Sequence, residues 1–159
     1  RDKRITYLAC KYRGSMFSKA CEYGIKATSY IAVQSLDGHR VSLKDIAMSI
    51  DSPVAFTAKI LQQLSKCDII HSTLGATGGF EIERNRMEKI KLSQIVSAID
   101  GDEIYKGCGL GLKECNAKKP CPVHDKFKVI RDELKVMLEG TTVHELALGL
   151  KDGLTFLKR

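Results

Sequence analysis

No segment of this 159-residue chain stays apolar long enough to cross a membrane, and none carries the apolar core of a secretory signal. A helical membrane protein is therefore excluded, no membrane partner is expected, and the expected location is cytoplasmic. The chain has no tryptophan, no internal repeat and no low-complexity tract, which rules out a solenoid or fibrous array. Nothing in it resembles a nucleophile–base pair or a site of paired carboxylates, so enzymatic chemistry is not expected. Its Gly75-Ala76-Thr77-Gly78-Gly79 run lacks the Lys-Ser/Thr of a P-loop and feeds no helix, so it is a turn and not a nucleotide site.

What remains is an ordinary globular composition, 43% hydrophobic and 28% charged, enough for one domain or a small domain with an extended arm. The net charge of +7 suits an acidic partner such as nucleic acid. Part of it is concentrated in residues 1–15, RDKRITYLACKYRGS, which carry a net +4 and leave +3 from Met16 onward. That prefix reads as a non-native or disordered basic segment, with Cys10 irrelevant to function.

Cysteine is not scarce. Of six, three crowd one stretch, GCGLGLKECNAKKPCPVHDKF, as Cys108, Cys115 and Cys121, with His124 close behind. Four soft-ligand side chains within seventeen residues suggest a loop folded around a metal. The spacing C-x6-C-x5-C-x2-H lacks the tight cysteine pairs usual in zinc fingers and ribbons. An iron–sulfur cluster with three thiolates and a weaker fourth ligand fits at least as well. Zinc, spectator thiols and a regulatory disulfide stay open. Without a signal, and with a sizeable apolar core, six cysteines point to a reducing compartment and not to a secreted disulfide scaffold.

Apolar spacing predicts a helix over 17–36, through Ala20, Gly24, Ala27 and Ile31. Ser42 and Asp45 open a second, short helix with Leu43, Ile46, Ala47 and Ile50 buried. Asp51-Ser52-Pro53 is a turn that sets Pro at the start of a third helix, with Phe56, Ile60, Leu61 and Leu64 inward. Helix, short turn, helix is a helix-turn-helix. Strands are predicted at 68–72 and 80–83 around the glycine turn, forming a β-hairpin wing. A further helix, with Leu92, Ile95, Val96 and Ile99, stops at Asp100-Gly101. After the cysteine loop comes a long helix over 123–138, with Phe127, Ile130, Leu134 and Met137 on one stripe and Val129 and Val136 on a second. Two apolar seams call for two partners, one of which could be another subunit. Thr142-Val143-His144-Glu145 caps a last short helix.

The segments SPVAFTAKILQQLSKCDII, GATGGFEI and IKLSQIVSAIDG, followed by the cysteine loop ending in CPVH, are those of a recognition helix, a wing, a linking helix and a cluster loop. In this order they resemble the IscR/NsrR family of winged-helix transcription regulators, over nearly all of residues 16–150. The resemblance implies a homodimer on double-stranded DNA, with the long helix as the dimer seam. It also implies that Cys108, Cys115 and Cys121 match the cysteines that hold a [2Fe-2S] or [4Fe-4S] cluster in some members; others carry none. His124 matches the histidine that completes the site in one branch. In another branch an acidic residue of the partner's first helix does so, and Glu22 stands there in this chain. Two positions depart from the pattern. The first cysteine gap is six residues instead of five, and Leu74 stands in the wing where many members have Arg.

The expected fold is mainly α with a small β-hairpin. Residues 16–101 form a winged helix-turn-helix domain, 102–122 a cysteine-rich cluster loop, and 123–159 a dimerisation helix and tail. DNA contacts are expected from Ser52, Thr57, Lys59, Gln62, Gln63 and Lys66 on the third helix, and from Thr73, Thr77 and Gly78 on the wing. Val129 and Val136 mark the dimer seam. Cys21 and Cys67 read as small core residues, and His39, His71 and His144 as loop, strand-edge and capping residues. The expected function is a dimeric regulator whose DNA binding is modulated by an iron–sulfur cluster. The alternatives are a cluster-free thiol switch of the same family, an iron–sulfur carrier and a zinc-stabilised interaction module.

Overall fold

The structure is a computed structural model and describes residues 16–157. The 1–15 prefix and Cys10 lie outside the described residues. In chain order the elements are α1 (Lys19–Leu36), α2 (Leu43–Ser49), α3 (Val54–Lys66), β1 (His71–Thr73), β2 (Gly79–Glu81), α4 (Arg84–Met87), α5 (Leu92–Asp100), α6 (Glu103–Lys106), α7 (His124–Gly140) and α8 (Val143–Lys151). The mainly helical class with one hairpin, read from the sequence, is what the chain adopts.

Local chemistry sets the helix boundaries. Ser18, Ser42 and Thr142 cap α1, α2 and α8, each side-chain oxygen accepting from a backbone N–H three residues on. α1, α2 and α3 all end in the same closing turn. The residue after the cap is left-handed, and the next N–H reaches back to a carbonyl five residues upstream: His39 to Gln34, Ser52 to Ala47, Ile69 to Leu64. Gly38 serves that position in α1, while Asp51 and Asp68 serve it at positive φ in α2 and α3, which short polar side chains tolerate. This turn delays the first strand. Expected from residue 68, β1 starts only at His71, because Asp68 is in the closing turn and Ile69 and Ile70 are drawn into the core.

α1, α2, α3 and α5 pack around one core containing Ile31, Ile46, Ile60, Leu61, Leu64, Ile95 and Val96, all at most 2% exposed. Each such side chain contributes about 1.5–3 kcal/mol. α5 lies close on α1, since a Cβ at Gly24 would overlap Ile99. The wing pairs β1 with β2 antiparallel, His71 opposite Glu81 and Thr73 opposite Gly79. Val41 pairs with Phe80 on the far side of β2, and Arg40 bridges to Glu81 at 2.8 Å, so the wing is fixed to the α1–α2 connection.

α8 returns to the helix-turn-helix. Leu92 N–H donates to Thr141, Val143 N–H donates to Ile90, and α8 lies along α1 with Val143 and Ala147 fully buried.

α7 differs from the expected stripe. Its inward face carries His124, Phe127, Arg131, Leu134 and Leu138, a heptad pattern that includes two polar residues. Ile130 and Met137, expected inside, are 56% and 47% exposed and lie beside Val129 and Val136 on the outer face.

Candidate nucleic-acid interface and cysteine loop

α3 offers one continuous polar stripe. Lys59, Gln62, Gln63 and Lys66 are all exposed and recur at helical spacing opposite the buried Ile60, Leu61 and Leu64. Two residues expected beside them turn inward. Thr57 is fully buried, and its hydroxyl donates to the Pro53 carbonyl at 3.0 Å, because the helix rotation that buries Ile60 and Leu64 carries it inside. The Ser52 hydroxyl is also buried, within the closing turn of α2, where Ser52 N–H donates to Ala47. Neither hydroxyl can reach a phosphate, and both expectations are corrected.

Cys67 is corrected in the opposite sense. As the cap of α3 it is exposed, not in the core. Cys21 is in the core as expected, with no exposed surface. Burial first, then the charge and hydrogen bond of Asp100, push its thiol up to about 12.

On the wing, Thr77 is exposed while Thr73 and Gly78 are half-buried. A Cβ at Gly78 would run into the Thr73 backbone carbonyl, so turn geometry alone demands this glycine. Leu74 is 95% exposed on the loop between the strands. Arg86 braces the base of the hairpin, pairing with Asp68 at 2.8 Å.

The cysteine loop leaves α6 and returns at the root of α7. Cys108, Cys115 and Cys121 are free thiols and half-buried. Gly111 N–H closes a turn on the Cys108 carbonyl at 2.8 Å, with Gly111 at positive φ. This turn accommodates the longer first gap. Gly109 has no room for a side chain, since the Phe127 ring of α7 occupies the space. Backbone N–H groups of Leu110 and Leu112 hold the Cys108 thiol below its usual range, with smaller contributions from the Cys121 thiol and the Arg131 charge. His124, buried at the first position of α7, places Nδ1 3.3 Å from Cys115 Sγ. Glu22 sits in the first turn of α1 and pairs with Lys19 at 2.8 Å. Among the described residues of the single chain, no three of these groups converge into a closed metal-ligand cluster.

Arg131 was missed by the sequence reading. It lies on α7 two turns beyond His124, and both terminal nitrogens stand 3.3 Å from Cys115 Sγ. One of them also donates to the Gly107 carbonyl. The seven-residue spacing from His124 was its available signal.

Helix-turn-helix, anchored wing and thiol-rich loop against a long helix define a winged-helix regulator of transcription. The chain belongs to the family described as "Rrf2: Iron-dependent Transcriptional regulator", whose model matches residues 17–148. A putative HTH-type transcriptional regulator of Aquifex aeolicus is 29% identical over 133 residues, 82% of this chain and 90% of that protein. The IscR regulator of Pectobacterium atrosepticum is 25% identical over 78% of this chain and 74% of its own length. Among solved structures, T. potens IscR superposes with a TM-score of 0.68 at 18% identity, covering 90% of this chain and 93% of that one. CymR, the global cysteine regulator of B. subtilis, gives 0.66 at 21%, covering 83% and 95%. The fold is shared with the solved structures, and the sequence relatives are regulators, not enzymes. No helix among the described residues is long and apolar enough to cross a membrane.

Proposed function

We propose that this regulator works as a homodimer on palindromic DNA, and that its binding is modulated by an iron–sulfur cluster held by Cys108, Cys115, Cys121 and a fourth ligand. The observation that carries this reading is the donor set. Three free, half-buried thiols come from one loop, and His124 already touches Cys115 at 3.3 Å. Three thiolates and one imidazole fit iron–sulfur ligation, and amide N–H groups directed at the Cys108 sulfur suit a cluster ligand. His124 is the first candidate for the fourth ligand, and Glu22 of a second copy is the rival. Bound there, the cluster supplies a redox- and ligand-sensitive centre whose loss frees the loop.

The loop joins the end of the α5–α6 segment to α7, so ordering or releasing it bears on how α7 is seated. Lys59, Gln62, Gln63 and Lys66 are assigned to the major groove, with the lysines on phosphates and the glutamines on base edges. Thr73, Thr77 and Gly78 bring the wing to the backbone or minor groove. Residues 16–101, with α8 laid along α1, act as the reading head, 102–122 as the sensor loop and α7 as the dimer element.

A thiol switch is the second reading. It is favoured by the adjacency of Cys108 and Cys121, and one structural neighbour, Staphylococcus aureus CymR, has been solved in an oxidised form. Anaerobic purification decides between them. A brown protein with a broad band near roughly 400 nm and iron and sulfide in proportion supports the cluster. A colourless protein that takes up no iron on reconstitution, and forms a Cys108–Cys121 disulfide with oxidant, supports the switch.

A further inference from the structure

Resting on the cluster reading above, we infer that Arg131 is a positioning residue for the cluster: its guanidinium clamps the Cys115 sulfur from α7 and places a permanent positive charge beside the cluster. The geometry is specific. Both terminal nitrogens lie 3.3 Å from Cys115 Sγ, and one is also fixed by the Gly107 carbonyl just before the first cysteine. The fork is therefore oriented by the start and the middle of the loop at once.

An arginine on a helix surface is ordinarily solvated or paired with a carboxylate. Arg131 is only half exposed and makes no ion pair among the described residues. The acid beside it, Asp132, is held by Lys128 at 2.6 Å. Arg131 and His124 stand seven residues apart on the inner face of α7, so two groups of one helix converge on one sulfur.

Guanidinium stays charged at any working pH, and its planar fork gives two parallel donors. Cluster potentials depend on net charge and on hydrogen bonds to the sulfurs, and a positive charge favours the reduced, more negative state. Groups that orient metal ligands from behind typically change retention of the metal by about 10–100-fold when lost. Arg131 should therefore raise the potential and slow cluster loss.

The test compares reconstituted parent protein with Arg131→Gln, which keeps donors but loses charge, and Arg131→Lys, which keeps charge but loses the fork. Two quantities are read: the midpoint of one-electron reduction by dithionite, followed spectroscopically, and the rate of bleaching by an iron chelator. Arg131→Gln should shift the oxidised-to-reduced ratio at fixed potential about tenfold toward oxidised, equal to about 59 mV for one electron, and bleach about tenfold faster. Arg131→Lys should recover most of the midpoint but less of the retention. A midpoint unchanged in Arg131→Gln, or lowered equally in Arg131→Lys, overturns the inference and leaves the cluster reading standing. A parent that never colours defeats the cluster reading itself, and Arg131's role with it.

Discussion

Replacing Val129 and Val136 together with Glu removes two apolar side chains from the outer face of α7. In the protomer they are 57% and 71% exposed, and Ile130 and Met137 beside them are 56% and 47% exposed. Covering the exposed part of each valine in a dimer is worth about 1–2 kcal/mol. With both protomers altered, the loss comes to about 4–8 kcal/mol, before any repulsion among four facing carboxylates. That is roughly three to six decades in dimer dissociation constant, so a tight dimer falls apart at micromolar concentration. The protomer should be unharmed, because neither valine contributes to its core. Far-ultraviolet circular dichroism and the melting curve of the monomer therefore check that only association has changed. Sedimentation equilibrium reads the mass, and binding to a palindromic site should fall to that of a half-site. A variant that still sediments as a dimer would remove this face as the seam, whatever its DNA binding.

Lys66→Ala should weaken binding to every sequence alike and lower the salt slope by about one unit, whereas Gln62→Ala should relax preference at particular base pairs; fluorescence anisotropy across a salt series separates them. Thr57→Val should leave DNA affinity unchanged and cost about 1 kcal/mol of stability or less in a urea titration, since the Pro53 carbonyl keeps its bond from Thr57 N–H at 2.9 Å. Cys21 gives a pH test. Its folded thiol is pushed up to about 12 from 9.0, so the neutral form is the one the fold favours. Its contribution is complete below pH 9 and lost as pH climbs from 9 toward 12, so Cys21→Ala should flatten the fall of melting temperature in that window. An equally steep fall in both proteins would mean that other groups govern the alkaline limit.

The helix-turn-helix was legible because its signals are local. The Ser42 cap, apolar periodicity and Pro53 each act within a few residues, and the structure uses them where they stand. Errors arose where a residue's environment depended on how a helix was rotated. Thr57 has the chemistry of a DNA contact, but the rotation that buries Ile60 and Leu64 carries it inside. Cys67 has the chemistry of a core residue, but an Asp in the closing turn after α3 leaves it at the exposed cap. The largest misreading, on α7, has the same origin. A hydrophobicity pattern sees Ile130 and Met137 and turns them inward. The inner face instead carries His124 and Arg131 beside Phe127, Leu134 and Leu138, and the two polar residues are buried or half-buried there because Cys115 and Gly107 supply their partners. Those partners come from a loop with no periodicity to read. The cysteine spacing disclosed a concentration of thiols, while only the fold discloses that α7 reaches the Cys115 sulfur with two side chains. With α7 turned this way, Val129, Ile130, Val136 and Met137 face solvent, so the arrangement that meets the cysteine loop is the same one that leaves an apolar outer face exposed. A change at the cysteines that releases His124 and Arg131 should therefore loosen the N-terminal half of α7, where Val129 and Ile130 lie, while the fully buried Leu138 keeps hold of its C-terminal half.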